Sequence, residues 1–468
     1  QLPPMVEPGA LTAMQVIGQI ASSAYIIRPP LYILLITAMV KRSLEKGNAP
    51  LSSFAYASYG LLMCGVVNDI TTGYQLGKSA LTITETSPGQ PLKNRVIFLV
   101  ANFINPWCCH PHERLPLFQR SLQAGLETGD WEFVAWCYWR DVHFLYLTGH
   151  NLTDLLERLH ESYQLVSQIK QAAAANLIAL QMQVVTLLTS DSVAYPLTIT
   201  GEYYSEADNL AQYQATGNLL GCYELHCHKM MVAYWLGDYD LALAQAKLAD
   251  QFLPGVTAAI EQVLLYFYDA LIRLTQYLEQ PAERQTETLQ KVTENHQKLM
   301  HWASHAPMNY QHKADLVAAE IARVKGQPDR ALALYNSAIE SASQQGYVQE
   351  AALAYELSAE LNLKLGNERI GTTYLINAFH AYARWGAIAK VRQMEQRYPQ
   401  WLSQASALRD PDMSGTTITV STSSTTGSAD FDLISVVRAS QAIADEIVLE
   451  NLLGRLIQLI VENAGAQT

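Results

Sequence analysis

Charge is sparse in this chain and nowhere concentrated. Asp, Glu, Lys and Arg make up 16% of its 468 residues, and no run of Lys or Arg offsets the net charge of -12. Such a field repels a polyphosphate backbone unless a local basic patch overrides it, so nucleic acid is excluded as the expected partner. Long apolar runs are also missing from the early chain. Leu31 to Val40 falls far short of the roughly 20 residues a membrane-spanning helix needs, and Arg28, Pro29 and Pro30 cut it off from the apolar stretch before it. No membrane span is expected. The six cysteines, Cys64, Cys108, Cys109, Cys137, Cys222 and Cys227, are scattered without the spacing of a small disulfide framework, which points to a reducing, cytoplasmic compartment. The chain opens at Gln1 with neither a methionine nor a signal core, and is expected to be a piece of something longer.

Apolar material, by contrast, is plentiful. Half of the residues are apolar, with Ala, Leu and Tyr abundant, which suits close packing of helices. Glycine recurs at Gly326, Gly346, Gly366 and Gly386, and the segments between carry no proline beyond Pro328. The same spacing separates Gly129 from Gly149 and Gly217 from Gly237. Each glycine reads as a helix end, and a fixed period of this size is the signature of an array of antiparallel helix hairpins. The fold class is therefore all-α, a solenoid similar to tetratricopeptide repeats.

The clearest repeat runs from about Ala314 to Gln345, where Gly326 divides two helices and Ala331, Tyr335, Ala338 and Ala342 recur on one face. Small residues on one stripe allow close helix approach. Gly326, Ala331, Tyr335 and Ala338 match the second half of the tetratricopeptide pattern in full; around Gly237 and Gly366 the match is partial. The expected organisation is an array over residues 1–402, a flexible Ser/Thr/Gly-rich linker over 403–429, and an amphipathic helix with the start of a further domain over 430–468.

Chemical motifs are weaker. Gly73, Gly77, Lys78 and Ser79 come within one residue of a phosphate-binding loop but lack its glycine spacing and its preceding strand. Cys108, Cys109, His110 and His112 are the densest set of metal-ligand types, and read as a turn with packed cysteines because no second pair lies at suitable spacing; Cys222, His226, Cys227 and His228 are a second set, read as core packing because one helix spreads their donors into a poor tetrahedron. Asp238, Asp240, Glu320 and Glu360 read as solvated helix faces. His296, His301, His305 and His312 could answer to pH near neutrality. The dense aromatics Trp131, Trp136, Tyr138 and Trp139 are the candidates for a groove that holds a small molecule or peptide. No catalytic, cofactor-binding or metal site is assigned.

Several stretches in order carry a family resemblance. They are "EKGNAPLSSFAYASYGLLMCG" from Glu45, "GLETGDWEFVAW" from Gly125, "HWASHAPMNYQHKADLVAAEIARVKG" from His301, "YLINAFHAYARWGAIAKV" and "QRYP". Together they resemble the helical-repeat region of large multidomain signalling kinases common in cyanobacteria, and Ser435 to Gln467 looks like the entry to a GAF domain. The resemblance implies a longer protein with a serine/threonine kinase domain, a nucleotide-binding ATPase of the signal-transduction class, this array, a GAF domain and a dimerising sensor histidine kinase of the two-component kind. None of those catalytic motifs occurs in these residues. The resemblance thus implies a regulatory segment that is not itself an enzyme, needs no cofactor of its own, and meets protein partners or the adjoining kinase and ATPase domains.

Overall fold

A computed structural model describes residues 2–86 and 92–402, and they are helical almost throughout. The expected linker over 403–429 and the amphipathic helix over 430–468 lie outside the described residues. Those described belong to one compact unit. Among them there is no β-strand; the one extended pairing is an isolated bridge between Pro4 and Asn48.

Local sequence sets the helix boundaries. At the end of the helix Pro307–Val324, Gly326 takes a left-handed φ of 68°. There its N–H donates to Arg323 O at 3.1 Å, and the N–H of Gln327 donates to Ala322 O at 3.0 Å. This pair of bonds satisfies carbonyls that the end of a helix would otherwise orphan. The same two bonds recur around Gly346, Gly366 and Gly386. The chain then reverses at once into Pro328–Gln344, Val348–Lys364 and Glu368–Trp385, and each helix packs along the one before it.

Side-chain size sets the separation of these helices. Ala331, Tyr335, Ala338 and Ala342 lie on the buried face of Pro328–Gln344 and are all essentially inaccessible. The Tyr335 hydroxyl reaches across to Glu320 of the preceding helix, which also receives Arg323 at 2.6 Å. Glu320 is therefore a buried hub and not the solvated face its sequence neighbourhood indicated. Glu360 is likewise engaged, accepting from Tyr398 Oη at 2.5 Å and facing Arg397 at 2.8 Å. Of the other two acids, Asp238 caps the next helix through Leu241 N–H at 3.1 Å, and Asp240 accepts from Gln276 at 2.7 Å.

The packing does not stop at chain neighbours. The helix Leu219–Leu236 is buried at every residue from Leu220 to Leu236. It touches Ala172–Thr189, Glu206–Thr216, Tyr239–Gln251, Glu261–Thr275 and, from far along the chain, Ile388–Arg397. Distant turns are tied together as well. Asn151 Nδ2 donates to Arg384 O at 2.9 Å, Gln349 Nε2 to Leu147 O at 2.7 Å, and Asn309 Nδ2 to Pro106 O at 2.9 Å. An open solenoid has nearest-neighbour contacts only, whereas here successive hairpins curl until their ends meet around one central helix.

Ala172–Thr189 has the length and apolarity of a membrane-spanning helix, which the sequence reading did not anticipate. Two thirds of it is buried against other helices, and Gln181 and Gln183 lie within its buried surface. That is the environment of a core helix.

Two glycines with the same backbone conformation separate backbone strain from crowding. A Cβ at Gly326 would meet nothing within 4 Å, whereas at Gly149, φ 75°, it would lie 2.8 Å from Val348 N and 2.2 Å from Gln349 Oε1. Gly326→Ala is expected to cost about 1–2 kcal/mol, the left-handed penalty alone. Gly149→Ala should cost clearly more, because the contact between turns must open as well. Urea denaturation of the two variants checks this, and equal losses would contradict it.

Candidate functional site

The helix Trp131–Leu147 carries two sites on one face, a turn apart along its axis. At 3.6 residues per turn, Trp136 and Trp139 fall about 60° apart around its axis, while Trp131 and Tyr138 fall about 20° apart on a different face. The structure follows that division. Trp136 and Trp139 line an apolar pocket with a cavity volume of about 70 Å³. Trp131 stays 45% exposed and does not line the pocket, nor does the half-buried Tyr138. The four aromatics therefore do not form one groove, because helical geometry points them two ways.

Beyond this helix, most of the pocket wall comes from helices that precede it in the chain, with Leu220 added by the central helix. Tyr25 and Tyr32 come from Pro8–Ile27 and Pro29–Lys46, and Phe98 from Lys93–Leu99. A π-helical turn, Val100–Ile104, follows directly and presents Phe103. A wide turn of this kind shifts the register of a helix and recurs at functional sites. The rings meet edge to face: Phe98 with Phe133 at 5.3 Å, Tyr25 with Phe103 at 5.6 Å, and Trp136 with Trp139 at 5.6 Å between centroids. Glu132 and Arg140 are the charged members of the wall. Arg140 Cζ lies 4.1 Å from the Trp139 ring, and Arg95 holds Glu132 at 3.5 Å and Asp130 at 2.7 Å. The cavity is apolar with one carboxylate and one guanidinium at its edge, suited to a small apolar group.

One turn further along the same face, with His143 about 40° from Trp139 around the axis, is a buried polar cluster. Arg140 Nη1 pairs with Glu261 Oε1 at the start of Glu261–Thr275, both side chains almost wholly inaccessible. His143 Nε2 lies 3.2 Å from the same Glu261 oxygen. Across from it the central helix contributes Glu224 and His228, with His228 Nε2 3.6 Å from Glu224 Oε2. The His143 and His228 rings meet edge to face at 6.0 Å. Burial pushes His228 down to about 3, reinforced by His143, so the ring is neutral. Burial and then the Glu261 charge raise Glu224. Burial would raise Glu261 too, but the Arg140 guanidinium and His143 more than offset it, and its carboxyl lies below the usual range.

The other sequence candidates have structural employment. Gly73 and Gly77 sit inside the helix Ile70–Thr86, where a Cβ on Gly73 would be 2.7 Å from Gly60 O, so they serve close helix packing. His110 caps a short 3-10 turn, accepting from His112 N–H at 3.2 Å, and its other ring nitrogen meets Gln345 O at 3.2 Å. Cys108 and Cys109 are free thiols beside it. On the central helix, His226 pairs with Gln245 at 2.7 Å and stacks on Phe252, which leaves His228 as the member of that set to enter a polar cluster. His143, Glu224 and Glu261 were missed by sequence reasoning. The one signal for them was a glutamate and a histidine four apart, Glu224 and His228, in a mostly apolar helix.

No family model matches the chain. Among curated proteins it is similar to the hybrid signal transduction histidine kinase G of Dictyostelium discoideum, with 30% identity over 122 residues. The match covers 24% of this chain and 4% of that protein, so the chain spans only a small part of the relative's length. The similarity points to signal transduction.

The four histidines between 296 and 312 divide by environment. His301 and His305 are exposed, His296 is half-buried, and His312 is buried against Lys313 and Glu350. Lys313 Nζ donates to Glu350 Oε2 at 2.6 Å. Burial and the Lys313 charge lower His312 below its ordinary 6.5, outweighing Glu350 and Asp315. The unfolded chain then binds a proton that the folded chain refuses, so stability is full above pH 6.5 and falls as pH drops below it. The slope is up to about 1.4 kcal/mol per pH unit for one group. His312→Gln is expected to flatten the decline in unfolding free energy between pH 6.5 and 5; a slope equal to that of the parent chain would remove His312 from the account.

Proposed function

We propose that this chain is a non-catalytic regulatory and protein-interaction segment of a large signal-transduction kinase. In this reading its TPR-like hairpins couple the sensing of a ligand or partner to adjoining ATPase and kinase domains in the cytoplasm. The observation that carries the reading is the similarity to a hybrid histidine kinase, found in a chain whose described residues are packed helices, one of which, Pro328–Gln344, buries an Ala-Tyr-Ala stripe. The family resemblance adds the neighbours, an ATPase on one side and a GAF domain with a histidine kinase on the other. The aromatic pocket supplies a place where a small ligand would meet Arg140 and so reach the pair that joins two helices. A change of curvature among curled hairpins is then the means of transmission.

A second reading, a constitutive scaffold that docks a partner and transmits nothing, is favoured by one further observation. Val16, Ile20 and Ile27 lie within about 40° of one another on the first helix, each 44–57% exposed, and Leu31 and Leu34 continue the apolar surface on the next. An unpartnered apolar stripe of this kind marks a protein contact.

Deleting residues 1–402 from the longer protein separates the readings. The regulatory segment predicts that ATPase and autophosphorylation rates change and lose their response to stimulus. Unchanged rates, with loss only of a co-purifying partner, would leave the scaffold.

A further inference from the structure

We propose that His143, His228 and Glu224 bind a divalent transition-metal ion of the zinc type, clamping the Trp131–Leu147 helix to the central helix. The three residues come from two helices, and the donor atoms they offer lie within 4.8 Å of one another. The His228 Nε2 to Glu224 Oε2 separation is 3.6 Å. Two ligands of a tetrahedral zinc with bonds near 2.0–2.1 Å stand about 3.4 Å apart, so this edge of the site is already at coordination spacing, and His143 is the ligand that closes in on it.

Unsatisfied polar atoms point to the same place. His143 Nδ1, His228 Nδ1 and Glu224 Oε1 are buried without a hydrogen-bond partner, and their side chains are at least nine-tenths inaccessible. Buried polar groups normally find partners, and an unpaired set of this size on facing helices calls for an ion or water to satisfy it. Two imidazoles and a carboxylate are the donors of a first-row divalent ion, not of calcium or magnesium. Glu261 has a separate role. It faces His143 Nε2 at 3.2 Å while paired with Arg140, the position from which a carboxylate orients a metal-bound histidine through its other nitrogen. Arg140 is thus neutralised by Glu261, and Glu224 is left as the carboxylate for the metal. The ion would be held whether or not the chain regulates a kinase.

The test uses the whole 468-residue chain, stripped with EDTA, reloaded with Zn2+, dialysed against metal-free buffer and assayed by elemental analysis. About one zinc per chain is expected to remain. Glu224→Gln, which keeps size and shape, should retain at least about tenfold less. His226→Gln lies on the same helix but outside the cluster, and should retain as much as the parent chain. Equal retention by the parent and Glu224→Gln, or none by the parent, would overturn the site. Should Glu224→Gln fail to fold, the parent chain produced with Co2+ decides. Intense visible bands of four-coordinate cobalt support the site, and the weak spectrum of hydrated cobalt rejects it.

Discussion

The buried pair between Arg140 and Glu261 is the constraint on which the centre of the molecule depends. It joins helices whose partners lie 121 residues apart in the chain, and neither side chain retains access to water. Desolvating two charges costs several kcal/mol per ion, which the attraction of a well-placed partner offsets; removing one partner leaves the other stranded, at a cost of about 3–5 kcal/mol. The pair therefore fixes the seat of Trp131–Leu147 more firmly than apolar packing would, since packing can slide and a stranded charge cannot be tolerated. The pocket and the histidine cluster, one turn apart on the same face of that helix, both inherit their geometry from this seat.

The same device recurs through the later hairpins. Lys313 with Glu350 and Lys390 with Glu356 are buried pairs, at 2.6 and 2.8 Å, each joining two helices, and Tyr382 donates to Glu356 at 3.1 Å. Alanine stripes let the helices approach, but a stripe of methyl groups specifies separation more than register. A buried ion pair is satisfied in one register only. Small residues thus set distance in this chain, and charges set alignment.

This division explains what could be read in the sequence. Helix ends were legible because a left-handed residue is a local requirement, and glycine meets it at Gly326, Gly346, Gly366 and Gly386 with no knowledge of the rest of the fold. The Ala331, Tyr335 and Ala338 face was legible because it repeats within one helix. Glu320 was misread because its partner Arg323 also makes sense as an exposed pair on one helix, and only the tertiary contact with Tyr335 buries it. His143 and Glu261 carried no local signal, since nothing in their own neighbourhoods marks a partner more than a hundred residues away. The aromatic run was half legible: the density of rings was visible, but their helical phase divides Trp136 and Trp139 from Trp131 and Tyr138.

The two sites on the Trp131–Leu147 helix are not independent. Trp139 lines the pocket and its ring lies 5.4 Å from the His143 ring; Arg140 lines the pocket and holds the glutamate that faces His143. A group entering the pocket must displace or contact these two side chains, and so acts on the orientation of His143 within a single helical turn. Linkage then makes the effect reciprocal: whatever free energy a pocket ligand adds to the alignment of His143, occupation of the histidine cluster returns to the ligand. The coupling needs no path across the molecule, because one turn of helix carries both sets of contacts.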